Sequence, residues 1–193
     1  MITRDEQRQA VIEAVALLRL SGVVLRDEEI SHMEVADFGL GELAQVGLQI
    51  LPLVSTGHIA VKLLVLRPWQ ACPQHRHPPV GDYAGKEETF RAQWGKAYLC
   101  VPGEPTPAPR ACPPAHHRQY YTVWHEVVLR PGEQYTSAPN EWHWFQGGPQ
   151  GAVLWSYASH STDMHDIFAH PGAARCTVVS DDGAPTNALQ RCA

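Results

Sequence analysis

Three histidines and one glutamate carry the strongest chemical signal in the sequence. His75 and His77 are separated by one residue, and in a β-strand two such residues point to the same face. Glu88 follows eleven positions later, and His143 lies far downstream between two tryptophans. Imidazole is the commonest metal ligand, and a carboxylate often completes such a set. These four side chains predict a metal site inside a barrel; the alternative is a pair of surface histidines on an exposed strand.

The spacing around these four residues resembles the two motifs of the cupin superfamily. A glycine follows the glutamate of the first motif by seven positions, as Gly95 follows Glu88. In the second motif a glycine precedes the histidine by eleven positions, as Gly132 precedes His143. The interval between the second histidine and the glutamate is longer than in the common form. The resemblance implies an antiparallel barrel holding one divalent metal ion, and this ligand set suits Mn, Fe, Co, Ni or Zn better than Ca or Mg.

Longer blocks of the chain resemble the D-lyxose ketol-isomerase family in its shorter bacterial form. The matching region runs from about Val23 to Phe168, with the blocks in the same order and at comparable spacing. The blocks read CPQHRHPPV from Cys72, GKEETFR from Gly85, YTVWHE from Tyr121, HWFQGG from His143 and STDMHDIF from Ser161. The resemblance implies an aldose–ketose isomerase that converts D-lyxose to D-xylulose and D-mannose to D-fructose. It also implies activation by Mn(II) and a homodimer.

The same resemblance assigns further site residues to the chain. Lys62 matches a family lysine on the strand before the first histidine, and we expect it to be catalytic together with Asp166. Lys86 lies two positions before the glutamate, so in an extended segment both side chains face the same way. We expect Lys86, Asp163 and Trp142 to contact the sugar. Without the resemblance, the two lysines would be interpreted as solvated charges.

One position departs from the family pattern. Within the segment 153–157 the resemblance implies a glutamate, and this chain carries Ser156 there. If that glutamate is the proton-transfer base, another group has to replace it: Lys62, Glu87, Asp163 or Asp166. Otherwise the substrate differs, or the protein binds a metal and a sugar without isomerising. A cupin oxygenase using Fe(II) needs the same ligands and remains an alternative from another class.

Other histidines are expected not to form a second metal site. His116 and His117 lie in a proline-rich loop, where adjacent residues of an extended chain face opposite ways. His125 opens a strand, so we expect it to be packed or at the barrel rim.

A helix and a series of strands are predicted to position these residues. Thr3 and Glu6 form a capping-box pattern that begins a helix over 3–20, and Gly22 follows its end. A short second helix is predicted to begin at Asp27. Short β-branched segments separated by turn signals then predict strands. These strands are expected at 47–54, 58–66, 96–101, 125–129, 134–137 and 151–157, with turns at Pro102-Gly103, Pro131-Gly132 and Gly147-Gly148-Pro149.

This order predicts a β-barrel or sandwich with N-terminal helices. The resemblance implies an all-β cupin fold, which is a small antiparallel barrel or jelly roll. We expect a helical lead-in over 1–45 and the barrel over 46–170. An edge strand within Arg175–Ser180 and a loose tail are expected in the segment 171–193.

Composition excludes several other classes of protein. The 193 residues suit one domain, and a net charge of −5 with a pI near 6.1 does not fit a nucleic-acid binder. No apolar run is long enough for a membrane span, and the first residues lack the pattern of a secretory signal. The five cysteines are widely spaced and odd in number, so we expect reduced thiols in a cytoplasmic protein.

Overall fold

A computed structural model describes residues 1–181, and most of their regular backbone is β-strand. The strands are β1 (Ile2–Thr3), β2 (Glu34–Ala36), β3 (Leu48–Ser55), β4 (Ala60–Leu66), β5 (Ala71–Arg76), β6 (Glu88–Val101), β7 (His125–Leu129), β8 (Gln134–Ser137), β9 (His143–Ala158), β10 (Ile167–Phe168) and β11 (Val179–Ser180). The helices are α1 (Arg4–Leu20), α2 (Asp27–Ser31) and two 3₁₀ helices, Ala115–Tyr120 and Asp163–His165. Both predicted N-terminal helices are confirmed.

Nine of the strands form one antiparallel sheet that wraps around an apolar core. The order is β10-β5-β9-β4-β3-β2, and β6 pairs with β9, β7 and β8. The first half of β9 pairs with β5 and its second half pairs with β4. Strand β6 pairs with β9 along the opposite edge. The long strands β6 and β9 therefore join the parts of one curled antiparallel sheet, as expected for a barrel of the predicted type.

The segment Gly147-Gly148-Pro149 is not a turn, which corrects the expectation from its composition. It lies inside β9, where the register with β6 shifts and the strand changes its second partner. Gly95 of β6 faces this bend with a φ of +70°, and a Cβ atom there would collide with the carbonyl oxygen of Gly151. The motif glycine is thus required by the close approach of two backbones.

The two faces of β4 show how the alternation of side chains positions the site. Lys62 and Leu64 point into the barrel, and Leu64 packs in the central core. Leu63 and Val65 point outward and belong to a second apolar cluster under α1. Because both faces are covered, this strand is apolar along almost its whole length, and the inward lysine stands out.

Helix α1 covers this outer face of the barrel. Thr3 and Glu6 form the predicted capping box, with the side chain of each accepting a hydrogen bond from the backbone N–H of the other. Ala14 and Leu18 are fully buried against the sheet, whereas Ile12 on the opposite side is 61% exposed. The barrel itself therefore buries the apolar stripe of the helix.

We expect Leu18→Ala to lower the free energy of unfolding by about 2–5 kcal/mol, because it leaves a cavity between α1 and the sheet. Ile12→Ala on the exposed face is the matched control and should change stability by less than about 0.5 kcal/mol. Urea unfolding followed by far-UV circular dichroism measures both variants. Equal losses for the two would show that the helix is not anchored through this face.

The C-terminal segment returns to the beginning of the chain. Val179–Ser180 forms a parallel pair with Ile2–Thr3, so the predicted edge strand is confirmed in its last two residues only. Residues 182–193 of the predicted tail lie outside the described part, and the three-part division at 45 and 170 stays a prediction. Cys72, Cys100 and Cys112 are free, but Cys176 is disulfide-bonded, which corrects the expectation of five reduced thiols. Among residues 1–181, no helix is both long and apolar enough to cross a membrane.

Candidate active site

Two strands bring the three predicted histidines together at one end of the barrel. His75 of β5 pairs directly with His143, the first residue of β9, and their ring centroids are 4.4 Å apart. The ring of His77 lies 5.0 Å from that of His75 and 5.1 Å from that of His143. A ligand nitrogen from each ring lies within 4.8 Å of the others, and all three residues are buried. This spacing fits a single metal ion.

Backbone carbonyl groups fix the orientation of two of these rings. His75 Nδ1 is 2.9 Å from the carbonyl oxygen of Pro73, and His143 Nδ1 is 2.9 Å from that of Glu141. A carbonyl only accepts hydrogen bonds, so both Nδ1 atoms carry the proton and the lone pair is on Nε2. The Nε2 atom of His143 is buried and has no hydrogen-bond partner. Such an unpartnered buried nitrogen is a fitting metal ligand.

Burial keeps these two histidines neutral. Desolvation, together with the neighbouring imidazoles, lowers the pKa of His75 and of His143 to about 3. A divalent metal binds the deprotonated imidazole nitrogen, so neither residue has to release a proton before binding near neutral pH.

The third histidine is held by a carboxylate instead of a carbonyl. His77 Nδ1 donates a hydrogen bond of 2.5 Å to Asp166 Oδ1, and its Nε2 lies 3.0 Å from Glu88 Oε2. With one proton on Nδ1, the contact between Nε2 and the carboxylate oxygen is satisfied by a cation between the two atoms, which is either a second proton on the ring or a metal ion. A metal ion supplies that charge, so the donor set of the four residues fits the predicted divalent ion.

Glu88 begins β6 and is almost completely surrounded by donors. Lys86 Nζ lies 2.8 Å from its Oε2, and the Ser156 hydroxyl donates a short hydrogen bond to its Oε1. Burial alone would raise the pKa of Glu88, but the Lys86 ammonium and the bond to His77 hold it well below its usual range. The carboxylate is therefore ionised, and Ser156, the position that departs from the family pattern, contacts it directly.

A second carboxylate lies between two lysines beside the histidines. Asp163 forms a short ion pair with Lys62 through Oδ2 and lies 2.8 Å from Lys86 Nζ through Oδ1. Burial opposes ionisation of Asp163, but the two ammonium groups outweigh it and lower the pKa of this carboxyl far below its usual value. Lys62 also donates to the Ser161 hydroxyl at 3.3 Å. The site thus contains a charged Lys–Asp–Lys unit.

These groups line one small cavity. Part of its wall is apolar and includes Phe38, Phe90 and Phe145. The charged part of the wall consists of Lys62, His75, His77, Lys86, Glu88, Asp163, Asp166 and Arg175.

Three residues that the sequence suggested as substrate-binding or catalytic groups lie outside the cavity or make other contacts. Trp142 does not line the cavity. The guanidinium carbon of Arg76 lies over its ring, 4.7 Å from the ring centroid. Arg76 lies between His75 and His77 in the sequence and points outward from the cavity. Glu87 is exposed and faces away from the site, unlike its two neighbours. Asp166 was expected to be catalytic, yet its carboxylate is engaged with His77.

Arg175 was missed by the sequence analysis. It comes from the segment after the barrel, is held by a 2.5 Å ion pair with Glu34 of β2, and reaches the cavity wall. No motif or spacing links it to the histidines. Only the return of the C-terminal segment across the barrel mouth brings it there.

Known proteins resemble this chain over nearly its whole length. It is 50% identical over 175 residues to a D-lyxose ketol-isomerase of Thermofilum sp., which covers 91% of this chain and 97% of the relative. This chain belongs to the D-lyxose ketol-isomerase family. A D-lyxose/D-mannose isomerase of Thermosediminibacter oceani is 46% identical over 181 residues, covering 94% of this chain and 100% of the relative. No family model matches the chain.

Solved structures of L-ribose isomerases share the fold. The enzyme of Acinetobacter sp., solved with L-ribose, superposes with a TM-score of 0.77 at 17% identity, covering 93% of this chain and 98% of that chain. The enzyme of Cellulomonas parahominis, also with L-ribose, gives 0.78 at 18% identity with the same coverage. This likeness concerns the fold, and it confirms the expected cupin-type barrel of a D-lyxose ketol-isomerase family member.

Proposed function

We propose that this protein is a metal-dependent aldose–ketose isomerase that interconverts D-lyxose and D-xylulose, and D-mannose and D-fructose. One observation carries the proposal: His75, His77 and His143 form one cluster, and His77 contacts Glu88 at the cavity that also holds the Lys62–Asp163–Lys86 unit. The names of the relatives at 46–50% identity point to the same substrates.

The metal ligands in this proposal are His75, His77, Glu88 and His143, and the ion is Mn(II), with Fe, Co, Ni or Zn as substitutes. When bound, such an ion would supply Lewis-acid chemistry that stabilises negative charge developing on the sugar. The protein keeps the ligands in place through the hydrogen bonds to their Nδ1 atoms. Asp166 is in this view a positioning residue, because it acts through His77.

Proton transfer is assigned to Asp163 and Lys62. Isomerisation needs a base that removes the C2 proton and returns it to C1. Asp163 is the one carboxylate of the described cavity wall that neither belongs to the proposed ligand set nor holds a ligand histidine. When a bound sugar displaces a lysine ammonium from Asp163, the carboxylate becomes more basic, and the freed ammonium can donate to a sugar oxygen. Lys86 and Arg175 are assigned to binding sugar hydroxyl groups.

The two alternative functions fit the cavity less well. An oxygenase binds dioxygen in a mainly apolar pocket, whereas this wall carries two lysines, an arginine and three carboxylates. Hydrogen-bonding and charged groups at this density suit a polyol. A sugar-binding protein without catalysis would not require an ionised carboxylate between two buried lysines. Burying these charges costs desolvation free energy, and a catalytic role for the carboxylate accounts for that cost.

A homodimer in the cytoplasm is part of the same proposal. β2 is an edge strand of the described sheet, and such edges commonly pair or are covered in an oligomer. Three free cysteines are typical of a protein in a reducing compartment such as the cytoplasm. The disulfide at Cys176 is the observation that argues against this location.

The proposal is tested by incubating the purified protein with a panel of aldoses and Mn(II) and measuring ketose formation. We expect conversion of D-lyxose and D-mannose that disappears after chelation and returns with Mn(II). His75→Ala should lose activity and metal together, whereas His58→Ala, at an exposed histidine in the loop between β3 and β4, is the control and should keep both. If no aldose of the panel is converted by metal-loaded protein, the isomerase proposal is wrong.

A further inference from the structure

A second group of metal-binding side chains lies outside the cavity. Glu42 begins the turn before β3, and His116 and His117 lie in the 3₁₀ helix Ala115–Tyr120. One ligand atom from each of the three residues lies within 4.8 Å of the others. None of them lines the cavity of the first site. This group contradicts the expectation that adjacent histidines in this loop face opposite ways.

The local backbone explains why that expectation was wrong. In an extended chain successive side chains alternate, but a 3₁₀ helix has about three residues per turn, so neighbours are only about a third of a turn apart. The rings of His116 and His117 accordingly lie with centroids 4.1 Å apart. Both can reach the Glu42 carboxylate from the same side.

The distances within the cluster match a shared ion. His116 Nε2 lies 2.9 Å from Glu42 Oε2, and His117 Nε2 lies 3.3 Å from Glu42 Oε1. Two ligands about 2.1 Å from one tetrahedral ion are roughly 3.4 Å apart. The distances therefore fit neighbouring ligand positions around one ion as well as they fit an ion pair.

His117 distinguishes the two interpretations. Its side chain is only 10% exposed, and its Nε2 is buried without a hydrogen-bond partner although Glu42 Oε1 is 3.3 Å away. The two atoms are close but do not point at each other, as expected when both point at a third atom. A simple ion pair would leave this buried nitrogen unsatisfied, which is costly.

His170 packs beside the cluster without being a ligand. Its ring meets that of His117 edge-on at 4.8 Å and that of Tyr120 at 4.1 Å. The backbone N–H of Gly172 donates to His170 Nδ1 at 3.0 Å, so the neutral ring carries its proton on Nε2. His170 therefore supports the position of His117 rather than offering a lone pair.

We propose that Glu42, His116 and His117 form a second binding site for a divalent first-row metal ion, with Zn(II) as the ion that two imidazoles and one carboxylate favour. His116 and Glu42 are 57% and 31% exposed, so water completes the coordination and the ion exchanges with solvent. A bound ion would link the turn before β3 to the loop between β6 and β7. The site is independent of the proposed isomerase activity.

The test is the metal content of the full chain after chelation and dialysis against Zn(II), measured by mass spectrometry. We expect two ions per chain in the wild type and in the control His58→Ala. His117→Ala and Glu42→Gln should each retain one ion, and so should His75→Ala, which loses the other site. Co(II) gives an independent spectroscopic readout, because His117→Ala should lose part of the visible absorption that His75→Ala retains.

Thermal unfolding completes the experiment. At Zn(II) about 100-fold above the dissociation constant, His75→Ala should melt roughly 5–11 °C higher than without metal, and the double variant His75→Ala/Glu42→Gln should not shift. Glu42→Gln keeps the shape of a partly exposed side chain, so this variant tests the second site if His117→Ala does not fold. One ion per wild-type chain, with equal content in Glu42→Gln, would show that the cluster is only an ion pair and overturn the proposal.

Discussion

Asp163→Asn should reduce kcat for D-lyxose by about 10²–10⁴-fold, the usual contribution of a general base, while the protein still binds its metal. The amide keeps the size of the side chain but cannot accept the C2 proton. It also leaves Lys62 and Lys86 without their shared carboxylate partner. Steady-state kinetics at saturating Mn(II) and the metal content of the variant are the two measurements.

Asp166→Asn is the matched comparison, since it removes the charge from the other nearby aspartate. Its carboxylate holds His77 Nδ1, so its loss should weaken metal binding by about 10–100-fold. Activity should then recover when Mn(II) is raised, whereas that of Asp163→Asn should not. The reverse pattern, with Asp166→Asn inactive at saturating metal and Asp163→Asn active, would assign the base to Asp166.

The histidine cluster could be predicted because its spacing has a direct geometric meaning. His75 and His77 share a face of the strand region, and the buried rings confirm that both point inward. The antiparallel register then places His143 opposite His75. The motif glycine Gly95 was found from its spacing alone, and its physical reason, the contact with the bend of β9, became visible only in the fold.

Other contacts depend on segments distant in the chain, and local patterns do not contain them. Arg175 reaches the cavity because the C-terminal segment crosses the barrel mouth, and Asp166 meets His77 across 89 positions. The turn assigned to the segment 147–149 failed because glycine and proline also permit a bend inside a strand. The adjacent histidines His116 and His117 were misjudged because an extended loop was assumed where the chain forms a 3₁₀ helix.

Ser156 takes the position at which the resemblance implies a glutamate, and the structure gives this serine a contact of its own in the site. Ser156 lies on β9 opposite Lys62 of β4 and Phe90 of β6, with its side chain buried inside the barrel. Its hydroxyl donates to Oε1 of Glu88, the proposed carboxylate ligand. The position is therefore a supporting contact to the metal site, and the activity should not depend on a carboxylate there.

Ser156→Glu should accordingly lower activity by at least about tenfold. The new carboxylate would lie beside Glu88 in a buried site, where two like charges raise the pKa of one of them and where an unpaired charge costs stability. We expect a lower melting temperature and weaker Mn(II) binding together with the loss of kcat.

Ser156→Ala separates the effect of the lost hydroxyl donor from the effect of the added charge, because it removes the donor without adding a charge. It should weaken Mn(II) binding by about 10-fold and recover kcat at saturating metal, since only an outer contact to a ligand is lost. Isothermal titration with Mn(II) and D-lyxose kinetics measure both variants. A rise in kcat for Ser156→Glu above the wild type would mean that the serine does replace a catalytic base, and that Asp163 does not carry the proton transfer alone.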